Sequence, residues 1–407
     1  INTYVDYSHG IRYLNNHAML DGKLVKLTDL LIDEVKYKII SDESTVMYQP
    51  TYITSTEIPS KPNSFGVINN GDNSLRVLIK PNPMISNYEI FISTDGVSFN
   101  QLIPYSFGNE YLLSDLETNK IYYIKIKAVN DFGVSQFSEV LAANTSAINA
   151  KALIVNGFDR ATTGNTYNFV IQHGQSYFEN GIYFCSATNE AVIDEIINLN
   201  DYEIVSYILG EESTADETFS SQEQTIVANY LKNGGKLFVS GSEIAWDLDY
   251  KGTTADKNFI HNYLKTSYKA DAPFGVSGTY YNVTSLLNNN LTFAFDNGTH
   301  GLYNKLWPDV IGTYQGSYGF AKYNQLDTSN GFAGVFYSGI FNGGTLPGKV
   351  IVLGFPFETV VTNQSRNQLL NNVFILMDIN TAINNEENNT NNLTFSLSQN
   401  YPNPFNP

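Results

Sequence analysis

Three polar residues in separate loops have the types that a hydrolytic triad requires. Ser242 could act as nucleophile, His300 as base and Glu358 as the group that orients the base. Such a triad needs the base within hydrogen-bond reach of the nucleophile and held by the third group. His300 lies in the turn sequence Asp296-Asn297-Gly298-Thr299-His300-Gly301, which suits an exposed functional histidine, although glycine-rich turns carry histidine for other reasons too. The triad is therefore a hypothesis that depends on geometry.

A second group of candidates is acidic. Two nearby loops carry clustered carboxylates: Glu211, Glu212, Asp216 and Glu217 in the first, and Glu243, Asp247 and Asp249 in the second. Carboxylate oxygens are the ligands that calcium prefers, so one interpretation is a calcium site formed by Glu211, Glu212, Asp247 and Asp249. The other is helix capping, because Ser220 with Glu223 three residues later forms a capping-box pattern. The spacing matches no defined calcium motif, and both interpretations stay open.

Aromatic side chains in or near polar loops form a third group. Trp246, Trp307, Tyr250 and Tyr303, together with Glu243, could bind a sugar by ring stacking and hydrogen bonding. The alternative is that a chain with 28 Tyr and 25 Phe exposes rings by number alone. The single cysteine, Cys185, excludes an intrachain disulfide and is predicted to pack as a small core residue.

The loops that carry these candidates follow two apolar strands. Residues 204–209 and 236–239 have the composition of buried strands, and the helix between them ends at Gly234-Gly235. This is one turn of a doubly wound α/β sheet, in which ligands bind beyond the carboxyl ends of the strands. We therefore expect the site in loops 210–219 and 240–250.

The rest of residues 151–378 continues the α/β pattern. Further strands are predicted at 152–155 and 350–353, helices around 165–178, 190–199, 257–268 and 365–377, and a β-rich insertion at 275–340.

The segment 65–144 is β-only, with predicted strands at 75–79, 88–93 and 122–129. Residues 116–130, followed by Phe132-Gly133-Val134-Ser135, resemble strand F and the F–G turn of fibronectin type III domains. The resemblance implies a β-sandwich in which Tyr122 forms the tyrosine corner. It departs from the family at Ile79, where a Trp is frequent. Such domains are usually spacers or adhesive modules.

Residues 151–378 resemble class I glutamine-amidotransferase-like domains of flavodoxin-like topology, as found in secreted proteins named golvesin or xanthan lyase. The resemblance implies a cysteine nucleophile after the Gly-Gly turn and a His-Pro-Glu triplet after the last strand. Here the first position reads Ser240-Gly241-Ser242, and the second reads Phe355-Pro356-Phe357-Glu358, which keeps the Glu and lacks the His. We therefore expect no glutamine hydrolysis.

The two ends of the sequence differ from the segments between them and are predicted to belong to other domains. Residues 1–57 contain too few apolar residues for an independent core and read as the remnant of an upstream domain, since the chain starts at Ile1 without a signal peptide. Asp6, Ser8, His9 and Arg12 could belong to a lost hydrolase site or to a polar strand end. Residues 397–407 (LSQNYPNPFNP) resemble the opening of the type IX secretion sorting domain of Bacteroidetes, which implies an extracellular or cell-surface location.

Composition limits the partners. A net charge of −17 argues against nucleic acid or an anionic membrane surface, and no apolar run is long enough to span a bilayer.

The sequence thus predicts a multidomain protein, a β-sandwich followed by a three-layer flavodoxin-like α/β domain. The predicted segments are 1–57 (remnant), 58–147 (fibronectin type III), 148–379 (amidotransferase-like), 380–395 (disordered linker) and 396–407 (sorting domain). The leading interpretation is a non-catalytic binding or structural module, and the alternative is a hydrolase that uses the Ser242 triad. The expected partners are polysaccharide or cell-wall glycan, the type IX secretion machinery and further copies of the chain.

Overall fold

The computed structural model describes residues 17–42, 44, 46, 57–102, 105–107, 109–162, 164–278, 282–287 and 291–380. The chain divides into two compact units, Ile1–Ile58 and Pro59–Pro407. The sequence-predicted residues Asp6, Ser8, His9 and Arg12 lie outside the described residues, as do the predicted linker beyond residue 380 and the sorting segment.

The first unit contains a hairpin and one short helix. Strands β1 (His17–Leu20) and β2 (Lys23–Lys26) pair antiparallel, and α1 (Leu27–Ile32) follows directly. The helix ends at Ile32 because Asp33 adopts an extended conformation. Leu30 and Tyr37 are buried, and the Tyr37 hydroxyl donates a hydrogen bond to the Ser44 carbonyl oxygen at 3.0 Å.

The second unit begins with nine strands. They are β3 (Phe65–Asn69), β4 (Leu75–Ile79), β5 (Asn87–Ser93), β6 (Asn100–Leu102), β7 (Tyr105–Phe107), β8 (Glu110–Leu113), β9 (Ile121–Asn130), β10 (Gly133–Val134) and β11 (Leu141–Asn144). One sheet has the order β10-β9-β5-β6 with β11 on β9, and β3, β4, β8 and β7 pair in sequence in the other. Alternate residues of β4 are buried, as expected for a strand with one face on a core. Glu117 N donates to the Tyr122 hydroxyl at 2.9 Å, so the predicted bond from Tyr122 back to the chain is present.

The remaining elements combine helices with strands. The strands are β12 (Ala152–Asn156), β13 (Phe184–Thr188), β14 (Ile204–Gly210), β15 (Lys236–Gly241), β16 (Thr266–Asp271), β17 (Asn282–Ser285), β18 (Thr292–Ala294), β19 (Asp309–Thr313), β20 (Tyr318–Tyr323), β21 (Gly334–Ile340) and β22 (Pro347–Leu353). The helices are α2 (Val170–Glu179), α3 (Asn189–Ile193), α4 (Ser213–Asp216), α5 (Ser221–Lys232), α6 (Thr254–Phe259) and α7 (Asn363–Leu376), with π-helical turns at Trp246–Lys251 and Ile260–Leu264. None of the helices in the described part of the chain is long and apolar enough to cross a membrane.

Five strands form a parallel centre in the order β13-β12-β14-β15-β22. All residues of β12, β13 and β14 are buried, which is typical of strands covered on both faces. Tyr177 of α2 and Phe374 of α7 pack in the core on one face, and Leu231 of α5 and Phe259 of α6 pack in the core on the other. This centre brings the carboxyl ends of β12, β14, β15 and β22 to one edge.

The parallel strands and one sheet of the β-sandwich, the sheet of β3, β4, β8 and β7, form a single continuous sheet. Strand β3 pairs antiparallel with β13, with Val67 opposite Ser186 and Gly66 opposite Ala187. The Ser186 hydroxyl donates to the Ala142 carbonyl oxygen at 2.6 Å and accepts from Ala142 N at 2.7 Å. The result is a thirteen-stranded sheet across the described residues, from β18 to β7.

Three predicted helices are only partly confirmed: the one around 165–178 begins at Val170, the one around 190–199 ends at Ile193, and the third lies at 257–268. Residues 257–268 were expected to be helical, but the helical turns end at Leu264. Lys265 adopts a left-handed conformation with φ 57° that stops the helix, and β16 starts at Thr266.

Candidate functional site

A cavity of about 540 Å³ opens at the carboxyl-end edge of the parallel strands. Arg160 follows β12, Glu211 follows β14 and Glu243 follows β15, so three consecutive strand exits supply one wall. Residues between 298 and 307 supply the other wall, including Tyr303, Lys305 and Trp307. The loops predicted to hold the site, 210–219 and 240–250, therefore contribute through Glu211 and Glu243.

A partly buried ion cluster lines this cavity. The Lys305 side chain is only 2% exposed, and its Nζ donates to Glu211 Oε1 at 3.1 Å and Glu243 Oε1 at 3.3 Å. A buried ammonium is stable only when opposite charges or hydrogen-bond acceptors surround it. Arg160 adds a second cation and donates from Nη1 to the Glu211 carbonyl oxygen at 3.0 Å.

Glu243 occupies a strained turn between strand and helix. Its φ is 63°, in the left-handed region that is uncommon for residues other than glycine, and the chain becomes helical at Ile244. Asp309 Oδ2 accepts from Ala245 N at 2.6 Å, which fixes the start of this helix. A sharp strand-to-helix turn with a strained central residue is the geometry of a nucleophile elbow, and strain of this kind clusters at functional sites. The sequence placed the nucleophile position at residues 240–242, whereas the strained residue of the turn is Glu243.

The predicted triad of Ser242, His300 and Glu358 is not assembled. Ser242 is buried, and its hydroxyl donates to the Gly210 carbonyl oxygen at 3.0 Å, which ties the end of β15 to β14. The half-exposed His300 has Nδ1 at 3.0 Å from Thr299 Oγ1 and at 3.5 Å from Asp296 Oδ1. Among the hydrogen bonds of the described residues, none joins the three side chains to one another. The reason is that each side chain is bonded to a different partner: Ser242 to Gly210, His300 to its own turn, and Glu358 to Tyr303 and His173.

Glu358 anchors the cavity wall from within the core. Both Glu358 and His173 are fully buried, and His173 Nε2 lies 3.2 Å from Glu358 Oε2. The Tyr303 hydroxyl donates to Glu358 Oε1 at 2.6 Å. Burial and the Glu358 charge raise the pKa of Tyr303 well above its usual range, so the phenol stays a donor. Glu358 thus positions Tyr303.

The four predicted calcium ligands are dispersed among separate partners. Glu211 binds Lys305, and Glu212 Oε1 accepts from Arg160 N at 2.9 Å. Asp247 Oδ2 accepts from Thr218 N at 2.9 Å, and Asp249 Oδ2 accepts from Tyr268 N at 2.7 Å. In the described ranges no group of three or more His, Cys, Asp or Glu side chains is arranged to hold a metal ion. The calcium arrangement expected from the sequence is therefore not formed.

The capping interpretation of the acidic loop does match the structure. Ser220 and Glu223 form a complete capping box, in which the Ser220 hydroxyl accepts from Glu223 N and Glu223 Oε2 accepts from Ser220 N at 3.0 Å.

The two tryptophans lie in different surroundings. Trp307 is 38% exposed and lines the cavity. Trp246 does not line it and instead stacks on Tyr250, with ring centroids 4.7 Å apart, while Lys251 Nζ lies 4.7 Å from the centre of its ring. The predicted binding set of Trp246, Trp307 and Glu243 is thus only partly brought together.

Three residues of the site were not found from the sequence. Lys305 is 94 residues from Glu211 and 62 from Glu243 along the chain, and no spacing pattern links them. Arg160 lies five residues after the strand predicted at 152–155, and no motif marks it. His173 lies in α2, where a buried histidine has no signature in the sequence.

Comparison with known proteins finds similarity over a limited part of the chain. No protein-family model matches, and no curated protein matches. Among solved structures, the fibronectin type III domain FN3tt is 26% identical, with 22% of this chain and 98% of that chain covered and a TM-score of 0.20. A fibronectin type III-like protein from Clostridium thermocellum is 15% identical, with 22% and 95% covered and a TM-score of 0.20. A fibronectin type III domain of human contactin 1 is 21% identical, with 22% and 81% covered and a TM-score of 0.20.

Proposed function

We propose that the second unit is a non-catalytic ligand-binding module whose site is the cavity around Lys305. The observation that carries the proposal is the ion pair of Glu243 with Lys305 at the strained turn after β15. The enzymes that this segment resembles carry a cysteine nucleophile at such a turn. Here a carboxylate takes that place, and its charge is compensated by a buried ammonium. The turn therefore presents a fixed ion pair to the cavity instead of a reactive thiol.

The fold assignment behind this proposal is an amidotransferase-like, flavodoxin-like domain preceded by a fibronectin type III domain. The parallel strand order β13-β12-β14-β15-β22 supports it, because numbering these five strands along the chain gives 2-1-3-4-5, the flavodoxin-like order. The Tyr122 bond to Glu117 N supports the fibronectin type III assignment.

The proposed setting is outside the cell. The likeness of residues 397–407 to a type IX sorting domain supports export to the outer surface. There the module would assist an upstream hydrolase that acts on polysaccharide or cell wall, or contribute to an extracellular assembly through self-association. We propose no metal cofactor for this role, since the cavity already contains two cations of its own.

The rival proposal is an extracellular hydrolase that uses Ser242, His300 and Glu358. It requires the Ser242 hydroxyl to leave the Gly210 carbonyl oxygen and His300 to leave the Asp296 turn. Its support is the position of Ser242 and Glu358 beyond the carboxyl ends of β15 and β22.

One experiment separates the two proposals. The full chain and its Ser242→Ala variant are assayed for cleavage of aryl esters, peptidoglycan and soluble polysaccharides. Ser240→Ala is the matched control, because Ser240 is a buried serine of β15 two residues before Ser242, and among the described residues its hydroxyl has no hydrogen-bond partner. We expect no cleavage by any of the three proteins. Cleavage that is lost in Ser242→Ala and kept in Ser240→Ala overturns the non-catalytic proposal.

A further inference from the structure

The charged side chains of the cavity balance one another. Glu211 and Glu243 are matched by Lys305 and Arg160, and the two carboxylates share the one buried ammonium. An ionic ligand would meet no excess of opposite charge here and would still lose its own hydration. The lining therefore favours a ligand that is polar and uncharged.

The hydrogen-bonding groups of the cavity include donors and acceptors side by side. Each carboxylate has about four lone-pair positions, and the bond to Lys305 uses one position of Glu211 and one of Glu243. The ammonium carries three N–H donors, of which these two glutamates accept two among the described residues. A group that both donates and accepts, such as a hydroxyl, can bond to the carboxylates and to the ammonium together. Several adjacent hydroxyls would use this mixed wall more fully than an amide or an amine.

An apolar face lies beside this polar wall. Trp307 is 38% exposed and Leu306 is 41% exposed, and both line the same cavity. An indole ring offers a flat apolar surface, which suits a ligand with one face of C–H groups and a rim of hydroxyls. The volume of about 540 Å³ is within the range of small-molecule pockets, roughly 300–1,000 Å³, and so suits a short segment of such a ligand.

We infer that the cavity binds a neutral saccharide segment, with one sugar face on Trp307 and hydroxyls on Glu211, Glu243 and Lys305. This inference rests on the proposed binding function and specifies its ligand class. Sugars carry C–H groups on one ring face and hydroxyls around the edge, which is the combination that the cavity walls complement. The ion cluster then acts as a fixed hydroxyl-binding surface.

The chain has only two tryptophans, which allows a direct test. In the full chain with Trp246→Phe, Trp307 is the single tryptophan, and its fluorescence reports the cavity. The probes are neutral oligosaccharides of glucose, xylose and mannose, with oligogalacturonate and chitosan oligomers as anionic and cationic counterparts. We expect a saturable emission change with at least one neutral probe and none with the charged probes.

The matched variant is Trp307→Phe, which leaves Trp246 outside the cavity. Calorimetric titration with the neutral probe should show an affinity loss of about tenfold or more relative to Trp246→Phe, equivalent to about 1.4 kcal/mol. Circular dichroism and thermal unfolding establish that both variants are folded. If only a charged probe saturates the site, and its binding is lost in Trp307→Phe, the inferred ligand class is wrong but the proposed binding function stands. No response to any probe removes the saccharide assignment, and Ser242-dependent cleavage of a bound saccharide overturns only the non-catalytic proposal.

Discussion

Replacing Lys305 by Met should destabilise the second unit through two uncompensated carboxylates. Methionine keeps the length and apolar stem of the side chain but removes the ammonium that binds Glu211 and Glu243 at 3.1 and 3.3 Å. Removing one partner of a buried ion pair costs about 3–5 kcal/mol, because the remaining charge stays buried. The two glutamate side chains are 17% and 19% exposed, so water screens part of this cost. We therefore expect a loss of about 3 kcal/mol in the free energy of unfolding.

The assay is urea unfolding followed by tryptophan fluorescence, since both tryptophans belong to the second unit. The charge argument also predicts rescue: adding Glu211→Gln and Glu243→Gln to Lys305→Met removes both buried charges and should recover most of the lost stability. As the control, Glu203→Gln is added to Lys305→Met in place of the two cavity substitutions, because Glu203 pairs with Lys236 away from the cavity. A loss below about 1 kcal/mol in Lys305→Met, or a loss that the two glutamines do not reduce, would refute the reasoning.

Two further predictions concern pH and the end of β14. Burial raises the pKa of Glu190 to about 7 and of Glu212 to about 9, so the folded state holds these protons more tightly than the unfolded state. Their stabilising contribution is complete below about pH 4 and is lost as the pH rises through 7 and 9, so urea unfolding from pH 5 to 9 should give falling stability. A Glu212→Gln variant should show a flatter decline above pH 7, and an unchanged profile would contradict the assignment. Gly210→Ala should cost about 1–3 kcal/mol in the same urea assay, because φ is 43° and the new Cβ would lie 2.1 Å from the Phe158 ring; a neutral effect would mean that this turn relaxes easily.

Strands and helix caps could be predicted from the sequence because their signals are local. The apolar run at 204–209 and the one at 236–239 correspond to β14 and β15, each extended by one or two residues. The Ser220 capping box and the buried Cys185 are also confirmed. In each case the residues that determine the feature are neighbours along the chain. The loops expected to hold the site contribute to the cavity for the same reason, since parallel strands place their carboxyl ends at one edge.

The partners within the site could not be predicted, because they depend on contacts between distant segments. Ser242 has the right type and position for a nucleophile, yet its hydroxyl is taken by the Gly210 carbonyl oxygen of the neighbouring strand. Acidic residues in neighbouring loops do not converge, since Asp247 and Asp249 each bond to a different backbone N–H group. Lys305 comes from a segment between β18 and β19 with no regular periodicity, and only the fold brings it to the glutamates.

The pairing of β3 with β13 determines how the cavity is oriented. A spacer joined to a binding module by a linker can swivel, so the binding face of the module samples many directions. Here Val67 pairs with Ser186 and Gly66 pairs with Ala187 through the backbone. Ser186 also bonds to Ala142 of the sandwich. These contacts hold the sandwich and the parallel strands in one relative orientation. A pulling force on β3 would be transmitted through the interstrand hydrogen bonds of the sheet to β14 and β15, the strands that precede Glu211 and Glu243. A ligand in the cavity would therefore be presented at a fixed angle to the sandwich.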